Sequence, residues 1–158
     1  KLKYNIFMLD IEDFKKSMGK KSRILGVDPG KIRVGLAISD EDQLVSTPLK
    51  TIVKKNNSNF IVEIKEIIIE NNIKGIIVGN PINMDGSIGR SAQSAKDFAQ
   101  YLSKNISVPV SMWDERLSSQ AAFNLSSNLD INVSKKVSKL DENAASFILQ
   151  GAIDYLRR

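Results

Sequence analysis

The chain contains neither cysteine nor histidine. These two absences exclude a disulfide, a thiol nucleophile, a Ser-His-Asp relay and a conventional His/Cys zinc site. Any general base or metal ligand must therefore be a carboxylate, a lysine, a tyrosine or water. Long hydrophobic runs are missing too. Ile6-Phe7-Met8-Leu9 is far shorter than a signal-peptide core, and nothing approaches 18 consecutive apolar residues. The expectation is a soluble, cytoplasmic protein with no membrane partner. Aromatic residues make up only 6% of the chain, and no aromatic-rich basic face is visible. Internal repeats and low-complexity tracts are also absent.

What is present suits one domain with one core: 158 residues, 42% of them hydrophobic. The net charge of +5 hints at a polyanionic partner, but it is unevenly placed. Residues 1–23 hold seven basic residues against Asp10, Glu12 and Asp13, so the remaining body is close to neutral. Residues 1–22 read as an N-terminal extension. Within it, residues 8–18 suit a short helix, with Asp10 as N-cap and Ile11, Phe14 and Met18 on one stripe. Residues 23–158 read as the main domain.

From Arg23 the pattern changes. Two β-like runs, 23–28 and 33–39, flank Pro29-Gly30-Lys31-Ile32, and a third run at 44–53 extends them as a meander. Apolar residues at 60, 61, 64, 67 and 68 have a helical period. Residues 74–79 form a continuous apolar run, as in a strand covered on both faces. A helix near 91–104, a strand at 108–113 and a helix at 118–128 follow. Residues 130–140 read as a loop carrying Lys135, Lys136 and Lys139, and the last helix is expected from about Asp141 to Tyr155. The order β-β-β-α-β-α-β-α-α describes a mixed five-stranded sheet, an antiparallel meander continued by parallel strands and flanked by helices. That is the order of the ribonuclease H-like α/β fold.

Four segments carry candidate chemistry. Asp28 follows a hydrophobic strand, and Gly30 and Gly35 let the next hairpin approach a ligand closely; Asp28 as a turn cap is the plainer alternative. Val78–Gly86 runs from a buried strand into a loop shaped by Gly, Asn and Pro, at the strand end where α/β sheets bind ligands. In Trp113–Ser118, Asp114 and Glu115 cannot both enter one cavity if the strand continues through them. One would be a ligand and the other a hydrogen-bond acceptor or cap, with Arg116 pairing with either or holding a phosphate. Asp141 opens the last helix, where it also suits an N-cap. Asp28, Glu115 and Asp141 come from three separate elements that a mixed sheet can bring together. Three carboxylates without histidine make an oxygen-only site, suited to Mg²⁺ or Mn²⁺. Two such ions are the usual clamp for attack of water on a phosphodiester.

The strings VDPGKIRVGLAISD, IIVGNPINMDG, DERLSS and KLDENAASFILQ, in this order, resemble the YqgF family, also called RuvX. The resemblance spans roughly residues 23–156. It implies a ribonuclease H-like fold and metal-dependent hydrolysis of nucleic acid, with processing of the 5′ end of precursor 16S rRNA as the leading substrate. Its three acidic positions fall on Asp28, Glu115 and Asp141, the same three selected above. The chain departs from the common pattern at Lys31-Ile32, where Thr-Lys is usual, so Lys31 is a candidate phosphate contact in place of a hydroxyl. Asn80, Ser138 and Leu140 are further departures. Lys31, Arg33, Arg116 and Lys139 are the expected substrate-binding cations.

Two readings compete within nucleic-acid chemistry: a resolvase acting on four-way DNA, which would need a symmetric dimer, and a ribosome- or RNA-associated binding protein with little catalysis. An Asp-x-Gly hairpin after a first strand also occurs in the actin and hexokinase group. Those phosphotransferases place two such domains around a nucleotide, and this length supplies one.

Overall fold

The computed structural model describes residues 8–117 and 133–158, with side chains in the last helix from Asn143 onward. The helix expected at 118–128 and the side chains of Lys139 and Asp141 lie outside the described residues.

Among the described residues six strands form one sheet: β1 (Met8–Leu9), β2 (Arg23–Asp28), β3 (Arg33–Ser39), β4 (Ser46–Val53), β5 (Ile73–Asn80) and β6 (Val110–Asp114). Their spatial order is β1-β6-β5-β2-β3-β4. The meander β2-β3-β4 is antiparallel, and β5, β6 and β1 continue it in parallel from β2. Sequence analysis gives five of these strands. The sixth is Met8–Leu9, two residues that pair with Val110 and Ser111 of β6, so the N-terminal helix is shorter than expected. That helix, α1 (Ile11–Ser17), is capped by Asp10, whose carboxylate accepts from the Asp13 amide at 2.8 Å.

The remaining α-helices among the described residues are α2 (Asn57–Glu70), α3 (Arg90–Asn105) and α4 (Val133–Leu156). The last begins eight residues before the expected Asp141, which is therefore an interior helix position and not an N-cap. Physically, Val133, Val137 and Leu140 extend the apolar period upstream, and neither proline nor glycine interrupts residues 130–150. The segment holding Lys135, Lys136 and Lys139 is accordingly helix rather than loop.

Alternation along the strands sends side chains to two cores. Leu25, Val27, Ile76 and Val78 pack under α2 and α3, whereas Ile24, Ile77 and Trp113 meet α1 and α4 through Phe14, Ile148, Leu149 and Ile153. Each such fully buried aliphatic side chain contributes roughly 1.5–3 kcal/mol. On β2, Gly26 leaves room for α4: a Cβ there would lie 2.6 Å from Leu149 Cβ and 3.2 Å from the Ala145 carbonyl. The outer strand β4 carries Pro48, opposite Ala37 where the β3–β4 register shifts by a bulge.

Asp40 closes the β3–β4 turn. Its carboxylate accepts from the amides of Leu44 (2.7 Å) and Val45 (2.9 Å), and these bonds, Val45 first, lower its pKa. A depressed carboxylate contributes stability above its unfolded pKa, near 4, and loses it as the pH falls through the folded value. Asp40→Ala is expected to cost about 0.5–1 kcal/mol in urea unfolding at pH 7, the low end reflecting solvation. The gap to the parent should close as the buffer is taken below about pH 4.

Candidate active site

The parallel strands β2, β5 and β6 end side by side, and the candidate acids gather at those carboxyl ends. The register pairs Val27 with Val78, so Asp28 stands beside Gly79 at the ~4.8 Å spacing of neighbouring strands. Asp28 follows Gly26 by two residues and therefore shares the α4 face of the sheet. It is half-buried and engaged in contacts within the fold.

Gly79 is the platform of the site. The strand β6 ends at Asp114, and a 3₁₀ turn, Glu115–Leu117, takes over. That change of geometry swings Glu115 over β5, where its carboxylate lies against Gly79. A Cβ at Gly79 would stand 2.7 Å from Glu115 Oε2 and 2.7 Å from Ile148 Cδ1, so a larger residue would push both side-chain ends from their places. Burial raises the pKa of Glu115, and the nearby charge of Asp114 adds to the effect. Among the described residues no cation or hydrogen-bond donor meets this carboxylate.

Asp114 has the opposite environment. Arg116 clasps it through Nε (3.0 and 3.1 Å) and Nη2 (2.7 Å), and the Arg116 amide donates to it at 3.0 Å. The Arg116 side chain, followed by its amide, holds the Asp114 pKa low. The two adjacent acids thus divide: Asp114 fixes Arg116, and Glu115 faces the shared surface with Asp28. Arg116 in turn overlies the loop after β5. There Gly86 adopts φ +88°, and Asp85 accepts from the Ser87 amide (2.9 Å) and hydroxyl (2.6 Å). Arg116 Nη1 lies 3.7 Å from where a Gly86 Cβ would stand, and Asp85 adds to its electrostatic support. Nη2 and Nε serve Asp114, leaving Nη1 for an incoming anion.

The other candidates spread around this centre. Position 141 lies on α4 one turn before Ala145, the residue whose carbonyl meets Gly26; its side chain, like that of Lys139, is outside the described residues. Lys31 is exposed on the turn after β2, and Arg33 opens β3, exposed and engaged in contacts of its own. Asp28 and Glu115 are brought onto one surface, with Arg116 at its rim, whereas Lys31 turns toward a cleft beside α3. Among the described residues no group of three acids is placed to hold a metal ion.

A family model described as "RuvX: Holliday junction resolvase" matches residues 22–155. The chain belongs to the RuvX family. A relative from Pelagibacter ubique (strain HTCC1062), named "Putative pre-16S rRNA nuclease", is 60% identical over 149 residues, covering 94% of this chain and 99% of its own. A second RuvX relative of the same name, from Ruegeria sp. (strain TM1040), is 40% identical, covering 92% and 93%. Among solved structures, "Thermus thermophilus RuvC structure" superposes with a TM-score of 0.50 at 14% identity, covering 85% of this chain and 95% of that one. The RuvX chain therefore has a ribonuclease H-like fold. For this RuvX member, sequence analysis names Asp28 and Glu115, which the structure brings onto one surface, but not Gly79 beneath Glu115, nor Lys54 and Arg90 near Lys31. The first signal was available, as a glycine closing an apolar strand; the other two cations become neighbours only through the sheet.

Proposed function

We propose that this protein is a metal-dependent nuclease that hydrolyses phosphodiesters in RNA, with the 5′ region of precursor 16S rRNA as its substrate. The observation that carries the reading is Glu115: a desolvated carboxylate, without a cation among the described residues, on the same surface as Asp28. Such an arrangement costs free energy in an empty protein and suits a hard divalent cation bound by oxygens. The names of the two relatives support the RNA substrate.

Asp28 and Glu115 would hold Mg²⁺ or Mn²⁺, with Asp141 contributing from α4 as a third oxygen donor, in a site for two ions. When bound, the metal supplies charge neutralisation at the phosphate and activation of the attacking water. The chain itself does the positioning. Gly79 lets Glu115 approach the β5 backbone, Ile148 keeps water from one side, and Asp114 holds Arg116 so that Nη1 meets a phosphate oxygen without reorganising. Lys31, Arg33 and Lys139 would contact flanking phosphates. Among the described residues no helix is long and apolar enough to cross a membrane.

The test is cleavage of a precursor 16S leader RNA and, separately, a four-way DNA junction, each with Mn²⁺. Cutting of the leader by the parent and its loss in Asp28→Asn, with the melting curve preserved, is the expected outcome. Full activity in Asp28→Asn would refute the assignment. Cutting of the junction alone would move the substrate to branched DNA, in line with the family model's description.

A further inference from the structure

A cleft of about 430 Å³ opens on the opposite face of the sheet from Glu115, between the turn after β2, the start of the loop after β5 and the first turns of α3. Lys31, Lys54 and Arg90 reach it from three separate elements, together with the hydroxyls of Ser91 and Ser94. No acidic residue lines it. Among the described residues, none of these three cations has a carboxylate partner. Other grooves differ: one pairs Lys50 with Glu63 beside Glu66 and Glu70, and another sets Lys65 and Lys104 against Ile68 and Ile69, at residues distant from the acids.

We infer that this cleft is a second phosphate subsite, in which Lys54 and Arg90, with Lys31, grip the backbone of the RNA strand after it crosses the sheet edge from Asp28 and Glu115. The choice of RNA rests on the nuclease reading; the anion site rests on the cleft. Three cations without a carboxylate partner among the described residues, converging on a concave surface, attract a polyanion and release its counterions. Lys54 is already oriented, its Nζ 5.4 Å from the centre of the Phe98 ring, so little side-chain freedom is lost on binding. Phe98, the one aromatic among the cleft's lining residues, also packs against Phe60, with centroids 5.5 Å apart, so the ring that would stack a base already has two partners. The subsite therefore grips phosphate without reading sequence.

The prediction is tested by fluorescence anisotropy with labelled single-stranded oligo-U and oligo-A RNA in EDTA, across a range of salt. Lys54→Ala/Arg90→Ala is expected to weaken both RNAs about tenfold and to flatten the log K against log salt slope by about 1.4, as losing two single-strand phosphate contacts requires. Lys65→Ala/Lys104→Ala removes the same charge at a distance and should leave the slope within about 0.3 of the parent. Lys54→Arg should hold the parent's slope, which guards against a folding effect in the alanine pair. Equal losses from the two alanine pairs, an unchanged slope in Lys54→Ala/Arg90→Ala, or no RNA binding by the parent would each overturn the subsite. Because no metal is present, the result is separable from catalysis: the expected slopes with no cleavage in Mn²⁺ would sink the nuclease reading and leave the subsite standing.

Discussion

Glu115→Gln is expected to cut RNA cleavage about a thousandfold while making the metal-free protein more stable. The amide keeps the shape over Gly79 but loses the negative charge that a divalent cation needs. Metal-assisted charge stabilisation worth about 4 kcal/mol corresponds to three decades in rate. The stability gain follows from the raised pKa of Glu115. An acid whose folded pKa lies above its unfolded one contributes stability that is present at low pH and lost as the pH rises through the folded value. At pH 8 the parent therefore bears the full cost of a desolvated charge, and glutamine does not. Thermal melts in EDTA at pH 8 should place Glu115→Gln roughly 2–4 °C above the parent, equivalent to about 1 kcal/mol, with the difference vanishing near pH 4. Mn²⁺ should raise the melting temperature of the parent more than that of the variant. A variant that melts lower at pH 8 would mean the carboxylate is a structural acceptor, and the metal assignment would fall.

Gly26→Val should be the most damaging single change to the fold. Its Cβ would meet Leu149 Cβ at 2.6 Å and the Ala145 carbonyl at 3.2 Å, both part of α4 itself rather than the tip of a mobile side chain. The helix has little freedom to retreat. Gln150 accepts from the Ser46 amide (2.8 Å) and donates to the Leu44 carbonyl (3.1 Å), while Ser146 and Ser46 hydroxyls lie 3.1 Å apart. Overpacking of this kind costs about 3 kcal/mol or more, or roughly 6–12 °C in melting temperature for a chain of this size. Nuclease activity should fall as well, because Ile148 on the same turn walls the Glu115 site. Gly19→Ala is the comparison, since its Cβ would find Ser22 Oγ at an ordinary 3.7 Å. A melting temperature within 2 °C of the parent for Gly26→Val would refute the packing account.

Much of this was legible in the residues. Apolar alternation and turn chemistry located β2 to β6, and the spacing of acids after strands singled out Asp28 and Glu115. Two misjudgements have physical causes. Met8–Leu9 is too short to show a period, and it becomes a strand only because the edge of β6 is there to pair with it. Sequence analysis starts α4 at Asp141 because an acid before an apolar stripe resembles a cap, although Val133 and Val137 already continue the stripe. Sequence analysis divides Asp114 from Glu115 by strand alternation, whereas in the structure the division comes from β6 ending in a 3₁₀ turn between them. Lys54 and Arg90 stand 36 positions apart, and only the sheet makes them neighbours.

The two margins of the sheet bear on assembly. On β4, Pro48 has no amide hydrogen to offer and sits where the bulge bends the strand. On the opposite margin, the described part of β1 is Met8–Leu9. At the β4 margin the proline and the bulge interrupt the ladder on which a second copy, or an unfolded neighbour, would add a strand. Edge-to-edge polymerisation is thereby discouraged at the β4 margin, so a copy adding there would meet a bent strand with a missing donor instead of a continuous ladder.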